Sequence, residues 1–482
     1  MPKHILSKST FIRGQQCLKS LYLYKNRNYL KDAIPPEQLA KFSRGWDVNE
    51  LALGMYPGGV DVSPPSQKAV ARTFALMVEG QPVIYEAAFL YDDVLIAIDI
   101  LVKTGNGWKA VEVKSSRSLS ETYFKDAFLQ YYVIAGSGVE LVDFQLVHIN
   151  PGYVRNGELD LEQLFVHRSV KLEAEEKLGW VKEQIAIEKQ VISAGKSPSI
   201  DIGRHCNYPY PCDFHGLCWK KIPAGSVFSL DEFTEDEKFG FYSQSHLLPH
   251  DLPESLQLTP RQQIVVKTHR MGGVYIDNTK ISKFVETFER PAAIISMLSF
   301  TPAVPLFDGT SPYQSMVFAF GCLIVGNSPE GHDYQEFIVP IGINPLDVMP
   351  EKLKKNIEDL KSVMVFGKND FDFSLDVFDT INILDLKSVF SEKSYYSPAL
   401  AGASDCLDVF AALSGESPDE PREYFSDILA GVAYNSLSVT GSAVKPKDSD
   451  SEISKLGKYC RAKAMAIKGI ADFLERAALA SK

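Results

Sequence analysis

The stretch from Ile98-Asp99-Ile100 to Ala110-Val111-Glu112-Val113-Lys114 decides the reading of this sequence. β-Branched runs flank Thr104-Gly105-Asn106-Gly107, so the spacing predicts a hairpin of two strands, Val94 to Lys103 and Gly107 to Lys114. Glu112 and Lys114 are two residues apart, and the period of a strand sets both on one face, beside Asp99 of the first strand. An Asp, a Glu and a Lys converging on one point suit metal-assisted phosphodiester hydrolysis. Hard carboxylate oxygens hold Mg²⁺ or Mn²⁺, and the ammonium holds or polarises the attacking water. The plain structural reading of the same residues is a solvated strand face carrying Glu-x-Lys.

The bulk composition is ordinary for a water-soluble chain of two or three domains: 482 residues, 45% hydrophobic and 23% charged. No apolar run approaches the roughly 18 residues of a membrane span, and Met-Pro-Lys-His carries no signal-peptide core, so the expected location is the cytoplasm, with no membrane partner. The net charge of -11 is unevenly placed. Residues 1–224 carry 26 basic and 25 acidic side chains (26 − 25 = +1), and residues 225–482 carry 24 and 36 (24 − 36 = −12). The first fifty residues are locally basic, 9 to 4, which permits contact with phosphates.

Upstream of the hairpin, Ile5 to Asn26 reads as one capped helix with Ser7 or Ser9 at its start and Cys17 inside it. Within it Tyr22 and Tyr24 can serve either in core packing or in stacking on single-stranded bases. A second helix is expected from Pro36 to about Gly54, then a strand over Val83–Leu90. Glu86 on that strand is a further metal-ligand candidate or a water-facing edge residue. After Lys114 come a helix from Ser118-Leu-Ser-Glu121 to Ala135, bearing Gln130, a strand from Leu141 to Ile149, and one long charged helix from Ser169 to Ala194. Cys206, Cys212 and Cys218 then follow a C-x5-C-x5-C pattern in which Pro209, Pro211 and Gly216 turn the backbone between thiols. Seven cysteines in such a chain are not a disulfide framework, and a loop of this composition wraps round something, zinc or an iron–sulfur cluster.

In this order of parts the chain resembles the RecB-like branch of the PD-(D/E)XK nucleases, particularly iron–sulfur members such as the CRISPR-associated adaptation nuclease and AddB. There, one Cys before the nuclease core and three after it hold a 4Fe-4S cluster. The resemblance implies that Cys17, Cys206, Cys212 and Cys218 do so here, although the first late spacing departs from the commonest C-x2-C-x5-C. It also implies a restriction-endonuclease-like mixed α/β sheet, with Asp99, Glu112 and Lys114 in the catalytic motif and Gln130 in the following helix. The family's Q-x-x-x-Y reads Gln130-Tyr-Tyr-Val-Ile134, so Tyr131 or Tyr132 is the substitute. The motif His is missing from Gly45-Trp-Asp-Val-Asn49-Glu50, which leaves Asn49 or Glu50 in its place.

Residues 223–272 read as a connecting region, and 273–482 as an α/β domain with strands at Ala293–Phe300, Met316–Val325 and Ser362–Gly367. That half resembles the DnaQ-type, RNase H-like exonuclease domain. The resemblance is carried by Pro302-Ala-Val-Pro305, Thr310-Ser-Pro-Tyr-Gln314, Asp385-Leu386, Tyr395-Tyr396-Ser-Pro and Tyr459-Cys460. The expected D-x-E reads Ser296-Met297-Leu298 and the final Asp reads Lys463, so this domain is expected to be catalytically dead, with Asp385 a relic and its acidity suited to a protein partner. Val444 to Glu452 reads as an exposed loop. The expectation is a metal-dependent deoxyribonuclease, acting on single-stranded or end-bearing DNA in repair, CRISPR-type adaptation or phage defence. The alternatives are a non-catalytic scaffold subunit of a nuclease complex and a redox sensor built on the cluster.

Overall fold

A computed structural model describes residues 5–326, 333–368, 381–415, 424, 426–438 and 449–479, and of 40–47 the backbone alone. Packing divides the chain into two mixed α/β units. The first is Met1–Lys221 with Pro302–Gln314; the second is Ile222–Thr301 with Ser315–Lys482.

In the first unit the described strands are β1 (Leu6–Ser7), β2 (Val60–Asp61), β3 (Val83–Tyr91), β4 (Val94–Thr104), β5 (Gly107–Lys114), β6 (Leu141–Ile149) and β7 (Phe165–Ser169). They form one sheet in the order β2-β3-β4-β5-β6-β7, with β1 beside β4. β3, β4 and β5 run antiparallel as a meander, and β5 pairs parallel with β6. The helices are α1 (Lys8–Gln16), α2 (Leu18–Asn26), α3 (Pro36–Leu53), α4 (Gln67–Glu79), α5 (Glu121–Gly136), α6 (Leu161–Leu164), α7 (Lys171–Glu176), α8 (Leu178–Ser193) and α9 (His215–Trp219).

Apolar residues on both faces of the sheet give two cores. Ile84, Ile96, Ile98 and Ala110 join Phe11 of α1, Leu129 and Val133 of α5 and Ile185 of α8. Val83, Ile100, Val111 and Val147 join Val48 and Ala52 of α3 and Ala303. The alternation of β4 slips at one place: Ile98 lies in one core and Ile100 in the other, with Asp99 between them. In the facing strand Glu86, opposite Asp99 by register, holds a left-handed φ of 52°. A non-glycine residue there costs on the order of 1–3 kcal/mol and persists only where its surroundings hold it.

Three expectations need correction. The helix over 5–26 is two helices, because Cys17 is extended (φ -162°, ψ 115°) and breaks the ladder. The helix over 169–194 breaks at Lys177 and is preceded by β7, whose Val166 and His167 pair with β6. Residues 223–272 are no bare connector: Val227, Leu230, Phe233, Phe241, Val265 and Val266 build a core with Tyr396.

That core belongs to the second unit and is built on α10 (Glu235–Ser243), α11 (Pro260–Met271) and the small pair β8 (Tyr275–Ile276) with β14 (Tyr395–Tyr396). The second unit's main sheet has β9 (Ala292–Phe300), β10 (Met316–Val325), β11 (Asp333–Ile338), β12 (Ser362–Val365) and β13 (Asn382–Asp385) in the order β11-β10-β9-β12-β13. Around it lie α12 (Asn278–Glu286), α13 (Pro345–Ile357), α14 (Lys387–Ser391), α15 (Cys406–Ser414), α16 (Asp427–Ser438) and α17 (Ser449–Leu479). Of the loop expected over 444–452, residues 444–448 lie outside the described residues and Ser449 to Glu452 open α17.

One carboxyl inside the first unit ties its helices together. Glu188 of α8 is fully buried, accepts from Gln15 Nε2 at 2.9 Å, and lies where a Cβ on Gly14 would meet its Oε1 at 2.3 Å. Burial pushes its pKa up to about 8, against the Gln15 donor. Stability from this raised pKa is full below the ordinary value of 4.5 and is lost as pH rises through about 8. Glu188→Gln should therefore flatten the loss of stability between about pH 4.5 and about pH 8, by on the order of 5 kcal/mol at most in urea denaturation. An unchanged pH dependence would contradict this assignment.

Candidate active site

Four elements bring charged side chains to the covered face of the first unit's sheet. β4 supplies Asp99, β5 supplies Glu112 and Lys114, α5 supplies Asp126 and Gln130, and the first residue of α1 supplies Lys8. Asp99 does not continue the β4–β5 ladder; its Oδ2 accepts from Val113 N at 2.6 Å, which fixes the carboxylate beside Glu112.

Glu112 is the hub, with its side chain 2% exposed. Its Oε1 accepts from Lys8 Nζ at 2.7 Å and from Lys114 Nζ at 2.9 Å, and its Oε2 accepts from Gln130 Nε2 at 2.7 Å. Lys114 also donates to Asp126 Oδ2 at 2.9 Å, and its ammonium lies 5.0 Å from the Tyr123 ring centre. Gln130 Nε2 donates to Ala97 O at 2.9 Å as well, while its Oε1 is buried with no hydrogen-bond partner.

The electrostatics follow from burial and charge count. Burial alone would raise the Glu112 pKa, but Lys114 and Lys8 outweigh it and hold the carboxyl down at about 2. Asp99 has no such partner: burial first, then Glu112 and Glu86, push it up to about 7 against Lys8 and the Val113 amide. Burial works against the Lys114 ammonium, yet Asp126 and Glu112 keep its pKa well above the ordinary value. Glu86 is raised by burial and by Glu112 and Asp61, with Lys8 opposing, so it shares the same electrostatic neighbourhood.

The residues read from the sequence as catalytic, Asp99, Glu112, Lys114 and Gln130, thus meet at one point. Tyr131 and Tyr132 do not join them: their hydroxyls donate to Glu175 at 2.8 Å and Asp92 at 3.1 Å. Asn49 is half-buried and Glu50 exposed on α3; the side chains of 45–47 lie outside the described residues. Two members were missed. Asp126 lies four residues before Gln130, one helical turn away, and that spacing was the signal available. Lys8 carried none, because only the tertiary fold brings α1 to β5. Among the described residues no three His, Cys, Asp or Glu side chains stand so as to hold a metal ion, at these carboxylates or at the cysteines.

Cys17, Cys206, Cys212 and Cys218 are all free and line one small cavity of about 10 Å³ with Lys19, Ser20 and His205. The break at Cys17 turns its thiol to the loop that carries the other three. Gln16 sews that loop down through His205 O and Tyr210 O, both at 2.7 Å, and Arg13 pairs with Asp213 at 2.6 Å. Burial raises the Cys17 and Cys218 pKa values, and the neighbouring thiols Cys212 and Cys206 add to the rise. The same loop sends Tyr210 to the carboxylate site: burial pushes its hydroxyl up to about 12, with Tyr123, Asp126 and Lys114 close enough to act on it. Tyr22 is buried and Tyr24 packs under the Arg13 guanidinium at 4.5 Å, so both serve in packing.

In the second unit Ser296, Met297, Asp405, Asp427 and Lys463 line a cavity of about 150 Å³. Lys463 Nζ is held by both oxygens of Asp427, at 2.7 and 2.5 Å, and Ser296 Oγ donates to Cys460 O at 2.7 Å. Asp385 spends its carboxylate on the backbone amides of Gly367, Lys368 and Lys387, which makes it a turn-forming residue.

A family model described as a domain of unknown function (DUF2779) matches residues 298–405. Among solved structures, the crystal structure of SSO0001 is similar, with 14% identity, 46% of this chain and 90% of that one covered, and a TM-score of 0.24, too low to carry the fold. No curated protein matches.

Glu112→Gln would leave two ammoniums facing a neutral amide in a buried place. It should cost the first unit about 3–5 kcal/mol in urea denaturation, whereas Arg72→Ala, which breaks an exposed pair with Glu79, should cost under about 1 kcal/mol. Equal losses would contradict the assignment of Glu112 as the hub.

Proposed function

We propose that the first unit is a metal-dependent deoxyribonuclease of the RecB-like PD-(D/E)XK type, and that the second is a catalytically inactive RNase H-like domain. The observation that carries the reading is the meeting of Asp99, Glu112, Lys114 and Gln130, drawn from two strands and a helix, in one buried cluster. A structural ion pair needs neither a second carboxylate at Asp99 nor a glutamine whose Oε1 is left without a partner.

The donor set suits Mg²⁺ or Mn²⁺, with Asp99 and Glu112 as the carboxylates to hold it and Glu86 within electrostatic reach. Bound there, the cation would polarise a phosphate and lower the pKa of water. The chain's own groups do the rest. Lys114 Nζ, protonated and fixed by Asp126, holds the attacking water or the developing charge. Gln130 sets the Glu112 rotamer through Nε2. Tyr210, 44% exposed, offers a ring for an unstacked base of single-stranded or end-bearing DNA.

Cys17, Cys206, Cys212 and Cys218 line one cavity, and a 4Fe-4S cluster, or zinc, is the group they would hold. Such a group would be structural, joining α1 and α2 to the loop that carries Tyr210. In the second unit an ammonium, Lys463, neutralises Asp427, which supports an inactive domain whose acidity suits a protein partner. One observation favours the alternative of a non-catalytic DNA-binding scaffold subunit: both Glu112 oxygens are already engaged by this chain's own side chains.

With end-labelled single-stranded DNA and Mn²⁺, Lys114→Ala should lose about 10²–10⁴-fold in cleavage rate while Lys387→Ala in the second unit retains it. Binding of DNA without cleavage by wild type would establish the scaffold reading instead. Cys206→Ser should lose the bound iron or zinc, measured by elemental analysis, and lower the unfolding midpoint of the first unit. A metal content unchanged from wild type would remove the thiolate site from the account.

A further inference from the structure

The turn between Cys206 and Cys212 spends two large aromatic side chains on the surface. Tyr208 is 69% exposed and Tyr210 is 44% exposed, two residues apart in Tyr208-Pro-Tyr-Pro211. A single exposed ring is ordinary on a protein surface, but two on one turn, each followed by a proline that has no N–H to pair, make a surface of rings. Resting on the reading of the first unit as a domain that acts on DNA, and on no metal ion, we infer that Tyr208 and Tyr210 form a stacking platform for unpaired bases of a single strand that leads away from the carboxylate cluster.

The turn is fixed before anything binds. Gln16 Nε2 donates to Tyr210 O and His205 O, both at 2.7 Å, Cys212 N donates to Cys206 O at 2.8 Å, and Asn207 N and Tyr208 N donate to Arg204 O at 3.0 Å. Rings carried on a held backbone lose little entropy when a base stacks on them. The turn is also continuous with the candidate site. The Tyr210 hydroxyl is hydrogen-bonded to Tyr123 and stands near Asp126 and Lys114, and the Lys114 ammonium lies 5.0 Å from the Tyr123 ring centre. A strand with a phosphate at Lys114 therefore meets Tyr210 first and the more exposed Tyr208 next. Charge on the loop suits a polyanion. Arg204, Lys220 and Lys221 are exposed, and of the carboxylates Asp201 and Asp213 the second is already matched by Arg13 at 2.6 Å and Lys31 at 3.3 Å. A duplex keeps its bases stacked on one another, whereas a single strand has ring faces to give, so the platform selects single strands without reading their sequence.

The test is binding of a labelled oligothymidylate, and of a duplex of the same length, to the full chain by fluorescence anisotropy in EDTA. Tyr208→Ala should weaken single-strand binding about ten-fold and Tyr208→Ala with Tyr210→Ala about a hundred-fold, while Tyr208→Phe, which keeps the ring, stays within about two-fold of wild type. Duplex binding should not change in any of them. A folded Tyr208→Ala that binds the single strand as wild type does overturns the inference and leaves the DNA reading standing. So does a loss shared by the duplex or by Tyr208→Phe, and so does a wild type that binds only the duplex. A wild type that binds neither overturns the DNA reading and the inference together. Photo-cross-linking to an iodouracil-substituted strand, read by mass spectrometry, gives a second measurement on the unmodified chain. Adducts are expected on Tyr208 or Tyr210, and adducts confined to other residues overturn the inference.

Discussion

A carboxylate sealed from water must be paired or it loses its charge, and Glu112 keeps its charge through two ammoniums on one oxygen and an amide on the other. The constraint reaches well beyond the pair. Lys8 has to arrive from the chain's N-terminal end, so β1 must dock on β4. Gln130 has to arrive from above, so α5 must lie across the β3–β5 meander. Asp126, one turn earlier on α5, fixes the second ammonium. The strained Glu86 and the slip in alternation at Asp99 sit at the same point, where the sheet gives up regular pleating to place a carboxylate beside Glu112.

Parts of this were legible in the sequence because they are local. The hairpin follows from β-branched runs about a Gly-Asn turn, and Glu112 and Lys114 share a face by the strand period alone. The α5 helix and the β6 strand stand out by their periodicity. Lys8 was not legible, because its partner lies 104 residues away and a lysine at a helix start is ordinary. The break at Cys17 was hidden as well. Apolar residues continue at helical spacing through it, and only the tertiary fold brings the loop 200–219 against the extended Cys17. Segment 302–314 misled in the opposite sense. It reads as part of the second half, yet it packs in the first unit, where Arg155 donates to Pro305 O and Leu306 O and the Tyr313 hydroxyl reaches Ser115 O, next to Lys114.

The four thiols and the carboxylate cluster are connected through one helix and one loop. Gln16, the last residue of α1, holds the carbonyl of Tyr210, and Lys8, the first residue of the same helix, holds Glu112. A short helix therefore links the cysteine loop to the charged hub, and ordering of the loop sets where the Tyr210 ring stands. The second unit shows the opposite use of charge. There Lys463 and Asp427 satisfy each other, and Asp385 is consumed by three backbone amides, so both carboxylates are spent on structure.

The central claim is that the Glu112 hub is a cation site for phosphodiester chemistry. Its most direct test is anomalous scattering from crystals soaked in Mn²⁺ with a non-hydrolysable single-stranded oligonucleotide. The account predicts a manganese peak at the carboxylates of Asp99 and Glu112. No manganese at these carboxylates while the oligonucleotide is bound would contradict it.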